Sequence, residues 1–460
     1  MANRRASIRM AMLAGAALGA TGLGTIEARA GGFFLHEQSA YFQGLSMAGA
    51  AAGGPSISAM FWNPATITQS GLGMTSEIDF AGVAPRSEIH PISATAANGA
   101  SLLGLGPSGN IGTDAAIPSS YLTYGLNNWL WFGLGFNSPF GLRTMPSPLW
   151  AGMFYSQESE VKSYSANPDV AIKITDWLSI GVGAQIQYMK IKLHSAFPGS
   201  GPAVTLSDPL RIDGDTNTFD FGFTAGLTIT PTPWTTIGLG YRSRIDQAIE
   251  GDIFRPAFLI PPPPALIGVP AAFVNFKATV PLPDIGTASI RQKITETFTL
   301  LGTVEWQNWS RLGTIPVATF PAGPILGVPT ALPFQWRDGW LFSGGAEWQW
   351  LPRLALRGGV AFERSPITDQ VRGTRLPDDD RVWLSVGATL KYNEQLSFDV
   401  GYSHIFMKDA PIGIVPGNPL FNPALGTFIG TAQTNIDILS VSLRYRWAAP
   451  PPPAPLITKG

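Results

Sequence analysis

Residues 219–230, FDFGFTAGLTIT, decide the fold because apolar side chains alternate with small or polar ones along the whole stretch. The odd-numbered positions are apolar, from Phe219 to Ile229, and the even-numbered positions are Asp, Gly or Thr. A period of two residues predicts a β-strand, because successive side chains point to opposite faces of a sheet. This second face of small or polar residues suits the interior of a barrel better than the Lys- and Glu-rich surface of a sandwich. The same alternation occurs in the stretches 179–187, 382–391 and 439–447.

The composition of the 460-residue chain also favours a membrane protein. Charged residues make up 13% of the chain, about half of the roughly 25% usual in soluble domains, and hydrophobic residues make up 45%. The 52 Gly and 40 Pro disfavour a helical bundle, since both residue types destabilise helices. Without any Cys, the chain has neither disulfides nor a thiolate nucleophile.

The first thirty residues predict an export signal. Three Arg residues precede a short apolar run, and Ala28-Arg29-Ala30 then provides the small residues of a cleavage site before Gly31. The apolar run is too short to cross a hydrocarbon core of roughly 30 Å. We therefore expect residues 1–30 to be a cleaved signal peptide. Removing its four Arg and one Glu changes the formal charge from −1 to −4, so nucleic acid is not an expected partner.

After residue 30 no run of 18 apolar residues occurs. An exported chain of this kind crosses a membrane only as a closed β-barrel, in which alternate side chains face lipid. We therefore predict an all-β fold, a transmembrane antiparallel β-barrel of about 14 strands over residues 72–447, in the outer membrane of a Gram-negative bacterium. Trp residues near many strand ends fit aromatic girdles at the two interfaces. The predicted strands are 72–84, 117–126, 129–139, 154–174, 177–193, 218–230, 234–250, 272–291, 295–310, 337–350, 353–365, 380–392, 395–408 and 433–447.

Residues 31–71 lack the strand alternation and carry six aromatic side chains among small residues. Disordered tails are usually charged and poor in aromatic residues, so we expect this segment to fold as a plug, or hatch, in the barrel lumen. Asn63-Pro64 predicts a fixed turn, because Pro restricts the residue before it. Residues 448–460 form a Pro-rich tail, for which a spacer is predicted.

Four short motifs resemble those of a known family. Residues 32–39 (GFFLHEQS) resemble G-F-x-L-x-E-x-S, and residues 377–385 (PDDDRVWLS) resemble P-D-x-D-R-x-W-L-S. Between them, Asn63-Pro64-Ala65 resembles the hatch motif N-P-A, and residues 241–243 (YRS) resemble a strand motif. In this order the motifs are similar to those of the outer-membrane long-chain fatty-acid transporter family (FadL/TodX type, OMPP1).

The resemblance implies a fourteen-stranded barrel closed by an N-terminal hatch. It also implies uptake of hydrophobic molecules by binding in the barrel and lateral diffusion beside a kinked third strand. The residues expected to form the N-terminus of the hatch are Gly31, Gly32, Phe33, Leu35 and Glu37.

The third predicted strand contains its own break signal. Pro139 cannot donate to a strand ladder, and Gly within a strand marks a bend or a bulge. An interrupted ladder would open the barrel wall sideways, whereas the simpler alternative is a strand that ends at Asn137. The residues of the predicted kink are Gly133, Gly135, Asn137, Ser138, Pro139, Phe140 and Gly141.

A dry pocket suits a hydrophobic substrate, because moving alkyl chains into water costs about 0.8 kcal/mol per CH₂. A substrate carboxylate needs a cationic partner at such a pocket. For each candidate the alternative is a salt bridge with a neighbouring acid. The strand-borne candidates that would face the lumen are Arg143, Lys162, Lys173, Arg242 and Arg244.

The favoured function is uptake of long-chain fatty acids or other hydrophobic compounds across the outer membrane. A general diffusion porin, or uptake of aromatic hydrocarbons by the same fold, remains an alternative. No catalytic residue is predicted, because the chain has four His and neither a G-x-S-x-G nor an H-E-x-x-H motif. No metal or cofactor is predicted, and the expected partners are a hydrophobic ligand, outer-membrane lipid and lipopolysaccharide around a monomeric barrel.

Overall fold

Fourteen antiparallel strands follow one another along the chain and close into a barrel. The computed structural model describes residues 32–198, 209–260, 267–320 and 328–447. The predicted signal peptide and the predicted Pro-rich tail lie outside the described residues. The last strand closes the barrel by pairing with the first, from Thr75–Arg446 at one end to Thr95–Thr427 at the other.

Five of the strands are interrupted and consist of two segments. In chain order the strands are β1 Gly73–Thr95, β2 Ala115–Gly125, β3 Leu130–Asn137 and Gly141–Thr144, β4 Glu158–Thr175, β5 Leu178–Ser195, β6 Leu210–Thr216 and Asp220–Thr232, β7 Thr235–Arg242 and Asp246–Arg255, β8 Ala272–Pro281 and Ile285–Lys293, β9 Phe298–Gln307, β10 Gly339–Leu351, β11 Leu354–Arg364, β12 Arg381–Lys391, β13 Leu396–Met407 and Ala410–Ile414, and β14 Thr427–Arg446.

The prediction of a barrel with about 14 strands is confirmed, but several strands reach further at their outer ends than predicted. β6 begins at Leu210 and not at 218, and β13 continues to Ile414 and not to 408. The alternation predicts strands at 72–84 and 433–447, whereas β1 continues to Thr95 and β14 begins at Thr427. These two outer ends pair with each other for their whole length, from Ala84–Asp437 onward. The sequence hides this extension because both faces of the outer ends carry polar residues.

The side-chain alternation separates a lipid-facing surface from the lumen. Phe221 and Val182 are 69% and 61% exposed on the outside, whereas Thr224 and Thr228 are buried inside. Exposed Trp177 and its counterparts at the other short turns mark the inner membrane interface. No helix among the described residues is long and apolar enough to cross a membrane.

Residues 32–71, the hatch, fill the lumen and are almost entirely buried. The first helix, α1 (Ala40–Gln43), begins after Ser39, whose hydroxyl accepts a hydrogen bond from the Phe42 N–H. Short helices suit this segment, because each turn pairs backbone groups of the segment with one another where the barrel wall gives them no partner. Three 3₁₀ helices follow at Ala50–Ala52, Ile57–Phe61 and Pro64–Ser70. The prediction of a lumenal plug is therefore confirmed.

Glycines on the lumenal face let the hatch backbone touch the barrel wall. A Cβ atom added at Gly181 would lie 2.5 Å from the backbone nitrogen of Ala65. One added at Gly401 would lie 2.6 Å from the carbonyl oxygen of Ala40. Real Cβ atoms do not approach so closely, so these strands need Gly where the hatch docks.

We expect Gly181→Ala to displace the hatch and lower the thermal unfolding midpoint, since overpacking costs about 1–3 kcal/mol. The matched control is Gly344→Ala, because a Cβ at Gly344 meets no atom within 4 Å. Thermal unfolding in detergent and protease cleavage of the hatch measure the two variants. Equal destabilisation by both substitutions would contradict this packing.

Candidate functional site

The barrel wall is broken in β3, between Asn137 and Gly141. Both segments of β3 pair with β4, where Asn137 lies opposite Ser165 and Gly141 lies opposite Lys162. Four residue steps in β3 therefore match three in β4, which is the geometry of a bulge. On the other side, β2 pairs only with the first segment of β3, and the pairing ends at Ser120. Among the described residues, the outer part of β2 thus has no ladder partner in β3.

The N-terminal end of the hatch lies in this break and pairs with it. The Leu35 N–H donates to the Pro139 carbonyl at 2.9 Å, and the Gly141 N–H donates to the Phe33 carbonyl at 2.9 Å. Phe34 and Phe140 form the antiparallel bridge between these two bonds. The hatch therefore supplies a short strand where the wall lacks one.

Gln38 connects the two sides of the break. Its side-chain amide donates to the carbonyl oxygen of Ser138 at 2.9 Å, and its side-chain oxygen accepts from the Ser119 hydroxyl at 3.0 Å. The Tyr121 hydroxyl donates to the main-chain carbonyl of Gln38 at 2.8 Å. Asn137 donates to the Tyr121 hydroxyl at 2.8 Å. One buried glutamine thus bonds to both β2 and the edge of β3.

Aromatic rings pack against the same end of the hatch within the lumen. The Phe33 ring centroid lies 4.7 Å from Trp309 and 5.7 Å from Trp336 in edge-to-face contacts. Phe140, within the break of β3, lies 5.9 Å from Phe33 and 5.5 Å from Phe34. Such pairs contribute about 0.5–1.5 kcal/mol each beyond the area they bury. The break is therefore lined by an apolar, aromatic surface.

Two ionisable hatch residues lie fully buried beside this surface. His36 bonds to the Glu305 carboxylate, with 2.9 Å between Nε2 and Oε1. Burial alone would lower the pKa of His36, but the Glu305 carboxylate outweighs it and raises the pKa to about 9. Burial raises the pKa of Glu37 to about 7, and neither carboxyl oxygen has a hydrogen-bond partner among the described residues. Both groups therefore favour the protonated form when the hatch is docked.

The rest of the hatch is bonded to other strands. The Ala40 N–H donates to the Asp79 carboxylate on β1 at 2.7 Å. Gln43 donates to the Ser403 hydroxyl on β13 at 2.5 Å. These bonds lie away from β3, so residues 39–71 are attached to the barrel independently of the break.

The N-P-A motif anchors the inner end of the hatch. The Asn63 side-chain amide donates to the carbonyl oxygens of Ala51 at 2.7 Å and Leu227 at 2.9 Å. The side-chain oxygen of Asn63 accepts from the Ala65 N–H at 3.0 Å, which caps the 3₁₀ helix that begins at Pro64. The motif therefore connects two parts of the hatch with each other and connects the hatch with β6.

Four of the five strand-borne candidate cations lie close to carboxylates. The distances from these cations to carboxylate oxygens are 3.5 Å for Arg143 to Glu160, 3.0 Å for Lys162 to Glu160, 2.9 Å for Lys173 to Asp176 and 3.6 Å for Arg244 to Asp246. Lys162 shares the outward face of β4 with the exposed Tyr164, and Arg143 lies beside it on β3. The expectation that these two face the lumen is therefore corrected, because the strand register turns them outward.

Arg242 faces the lumen, and the hatch contacts its guanidinium. Its guanidinium donates to the Phe61 carbonyl at 2.8 Å and lies 4.3 Å from the centre of the Phe61 ring. Arg242 therefore holds the hatch in the docked structure and is not presented to a ligand there.

The sequence did not single out Gln38, Tyr121 or Glu305. Gln38 occupies a variable position of the G-F-x-L-x-E-x-S motif, so the motif gave no signal for it. Tyr121 and Glu305 are distant in sequence from the hatch, and only the closed barrel brings them to it.

A closed β-barrel with a lumenal N-terminal plug and a broken third strand defines a class of plugged outer-membrane transport barrels. The chain belongs to the family described as outer membrane protein transport protein (OMPP1/FadL/TodX), whose sequence profile matches residues 22–447. This confirms the family and the outer-membrane location inferred from the motifs. The protein is a multi-pass outer-membrane transport protein.

Two relatives show the extent of the likeness. The chain is 25% identical over 431 residues to the long-chain fatty acid transport protein of Escherichia coli (strain K12), which covers 86% of this chain and 92% of the relative. It is 24% identical over 420 residues to outer membrane protein P1 of Haemophilus influenzae, which covers 82% of this chain and 86% of that protein.

Solved structures show the same fold. A Pseudomonas aeruginosa FadL homologue superposes with a TM-score of 0.78 at 21% identity, covering 90% of this chain and 99% of the other. The Ralstonia pickettii toluene transporter TbuX superposes with a TM-score of 0.62 at 18% identity, covering 89% of this chain and 100% of the other.

We expect hatch docking to weaken as the pH rises. The pKa of docked His36, about 9, lies above the 6.5 of free His. The stability it contributes is therefore complete below pH 6.5 and lost as the pH rises through about 9. Glu37 acts in the same direction between pH 4.5 and about 7. The thermal unfolding midpoint should fall between pH 6.5 and 9 in the wild type.

The His36→Gln variant should show a smaller fall over the same range, because it has no proton to lose there. His90→Gln is the control, since His90 is exposed outside the hatch. A pH profile of His36→Gln that coincides with the wild type would contradict the role of His36.

We expect Gln38→Ala to loosen the wall, because it removes the hydrogen bonds that join β2 to the edge of β3. Single-channel recordings in planar bilayers should then show more frequent ion-conducting openings. Gln43→Ala is the matched control: it is another buried hatch glutamine, but it bonds to Ser403 on β13. An equal frequency of openings in the two variants would contradict a role of Gln38 in closing the wall.

Proposed function

We propose that the protein takes up long-chain fatty acids or other hydrophobic compounds, which bind within the barrel and leave sideways through the break in β3. The observation that carries the proposal is the pairing of Phe33 and Leu35 with Pro139 and Gly141. A wall closed by non-covalent bonds to a separate segment opens when that segment moves away. The bonds are few, so a ligand that replaces them shifts the balance between closed and open forms.

The surroundings of the break favour an apolar cargo. The rings of Phe33, Phe140 and Trp309 line it, and the outward side of the wall meets lipid. A lateral exit moves an alkyl chain from one apolar environment to another, so the chain avoids the transfer cost of about 0.8 kcal/mol per CH₂. The names of the relatives, a long-chain fatty acid transport protein and a toluene transporter, support acyl and aromatic compounds alike.

The filled lumen argues against a general diffusion porin. A porin conducts through a water-filled channel lined by charged groups. Here the hatch places large side chains in the lumen, among them Tyr41, Phe42 and Trp62, each at most 1% exposed. Transport by binding needs no chemical step, and we accordingly propose that the protein is not an enzyme.

The proposal assigns a role to each part of the chain. Residues 1–30 are the signal peptide, residues 31–71 form the hatch with its N-terminus at Gly31, residues 72–447 form the barrel, and residues 448–460 form the tail. A barrel that releases cargo through its own wall works as a monomer within outer-membrane lipid and lipopolysaccharide. Gly32, Phe33, Leu35 and Glu37 belong to the moving end of the hatch, and Asn63, Pro64 and Ala65 to its fixed end.

A reversible disulfide tests the lateral exit, because the chain has no Cys of its own. Phe34 and Phe140 are directly bridged; such partners lie roughly 4.5–5.5 Å apart at Cα, within the range for a disulfide. We expect oxidised Phe34→Cys/Phe140→Cys protein to lose most of its uptake of a radiolabelled long-chain fatty acid into proteoliposomes. Reduction should restore the uptake of the same sample.

The control pair is Leu390→Cys/Phe398→Cys, which joins neighbouring positions of β12 and β13 away from the hatch. Its uptake should be the same with and without reductant. If the oxidised Phe34–Phe140 pair transports as fast as the reduced one, the cargo does not leave beside β3.

A further inference from the structure

The outward face of β4 and β5 changes character at a pair of tyrosines. Tyr164 and Tyr188 lie directly opposite each other, and their rings stack with 6.4 Å between the centroids. Tyr188 lies eleven positions after Trp177, which marks the inner interface at the short turn. Eleven strand residues tilted by about 40° rise about 28 Å, close to the roughly 25 Å height of the apolar band. The tyrosine pair therefore marks the outer interface on this side of the barrel.

Two lysines lie directly opposite each other just beyond this interface. Lys162 and Lys190 are paired across β4 and β5 on the outward face, two positions further out than the tyrosines. Side chains at such positions have Cβ atoms about 4.5–5.5 Å apart, and like charges there destabilise a sheet. The salt bridges of this face include Lys162 and Lys192 but, within the part of the chain that the structure describes, not Lys190. The wall thus holds two like charges together at the level where lipid headgroups begin.

Further cations surround the lysine pair. The Glu160 carboxylate lies 3.0 Å from the Lys162 amine. It also lies 3.5 Å from Arg143 and 3.9 Å from Lys192. One buried carboxylate is therefore shared by three cations. We call Arg143, Lys162, Lys190 and Lys192 the outer cation cluster.

The other acids of this face lie beside other groups. His194 lies 3.2 Å from the Glu158 carboxylate and 2.8 Å from that of Asp213 on β6. Asp215 lies opposite Lys190 across β5 and β6, but its carboxylate interacts with the tyrosine hydroxyl at the interface. On β3 to β5 the four cations of the cluster face two acids, so an excess of two positive charges remains.

A phosphorylated lipid complements this arrangement. Lipopolysaccharide forms the outer leaflet of the outer membrane, and its lipid A anchor carries phosphates just above the acyl chains. A phosphate accepts several charge-assisted hydrogen bonds, and Lys is a common partner for it. Basic clusters beside membrane-spanning segments bind anionic headgroups for this reason. A phosphate between Lys162 and Lys190 replaces their mutual repulsion by two attractions, while the exposed Val170 and Val182 offer an apolar wall to the acyl chains below.

We propose that the outer cation cluster binds a lipid A phosphate of lipopolysaccharide, with Lys162 and Lys190 donating to the phosphate oxygens from either side. The acyl chains then cover the wall below Tyr164 and Tyr188. The inference rests on the outer-membrane location and not on the identity of the cargo. It places a bound lipid at the edge of the break in β3, because Gly141 lies opposite Lys162. This lipid lies where the proposed lateral exit meets the outer leaflet.

The test measures lipid binding to purified, delipidated full-length protein in detergent by native mass spectrometry. The probes are lipid A with two phosphates, lipid A without phosphates, phosphatidylglycerol and oleate. We expect Lys190→Met to weaken binding of the bisphosphorylated lipid A by about 10- to 100-fold, the usual effect of losing a hydrogen bond to a charged group. Lys190→Arg keeps the charge and should bind this lipid more tightly than Lys190→Met. Wild-type protein should bind lipid A without phosphates more weakly than the bisphosphorylated form.

Lys277→Met is the matched control, because Lys277 is another exposed strand lysine but lies 2.5 Å from the Glu250 carboxylate on β7. It should bind lipid A within about twofold of the wild type. A second measurement separates binding from folding. Without lipid, Lys190→Met should unfold at a temperature no lower than the wild type, because it loses a like-charged neighbour and no ion pair.

Four results would overturn the inference. The first is equal binding of bisphosphorylated lipid A by Lys190→Met and the wild type. The second is equal binding of phosphatidylglycerol and lipid A by the wild type, since the cluster would then attract any anionic lipid. The third is a loss of oleate binding alone in Lys190→Met, which would assign the cluster to the cargo. The fourth is a lower unfolding temperature of lipid-free Lys190→Met, which would make Lys190 a structural support. Fatty-acid uptake enters none of these measurements, so a failure of the proposed function would be seen separately.

Discussion

The structure depends on one constraint: within a membrane, each backbone N–H and C=O of the barrel wall must have a partner. Regular ladders meet it along most of the wall, but the ladders of β3 with β2 and with β4 stop at the break between Asn137 and Gly141. At this break the hatch supplies partners: the Leu35 N–H donates to the Pro139 carbonyl, and the Gly141 N–H donates to the Phe33 carbonyl. A plug that completes the wall differs from a plug that merely fills the lumen, because moving it opens the wall and the lumen together.

The proposed lateral exit requires a hatch with two parts of unequal stability. Residues 39–71 are fixed by contacts that leave no room, such as Asn63 against β6 and Ala65 against Gly181. The moving end has a few backbone bonds, aromatic edge contacts and the His36–Glu305 pair. Segments that move in function are drawn from the less stable parts of a protein. The division of the hatch follows that rule, and it places the moving end beside the apolar surface that a hydrophobic cargo would contact.

Much of the fold could be predicted from local patterns, and much of the site could not. The alternation in 219–230 predicts β6 because the period of two is a local property, and Pro139 marks the break because Pro lacks the N–H that a ladder needs. The faces of Arg143 and Lys162 depend on register, and a one-residue shift turns every side chain of a strand to the other face. Gln38 and His36 have partners over eighty and over two hundred and sixty positions away, which no local pattern encodes.

Charged side chains inside the barrel can hold the structure together or remain available to a ligand, and the two roles exclude each other. A buried ion pair holds its two partners in place, but neither partner is then available to a ligand. Arg357 with Asp399 and Arg372 with Asp379 are of this kind, with distances of 2.8 and 2.9 Å. Arg375, in the loop between β11 and β12, is a different case: the main-chain oxygens of Glu158 and His194 solvate its guanidinium without neutralising it.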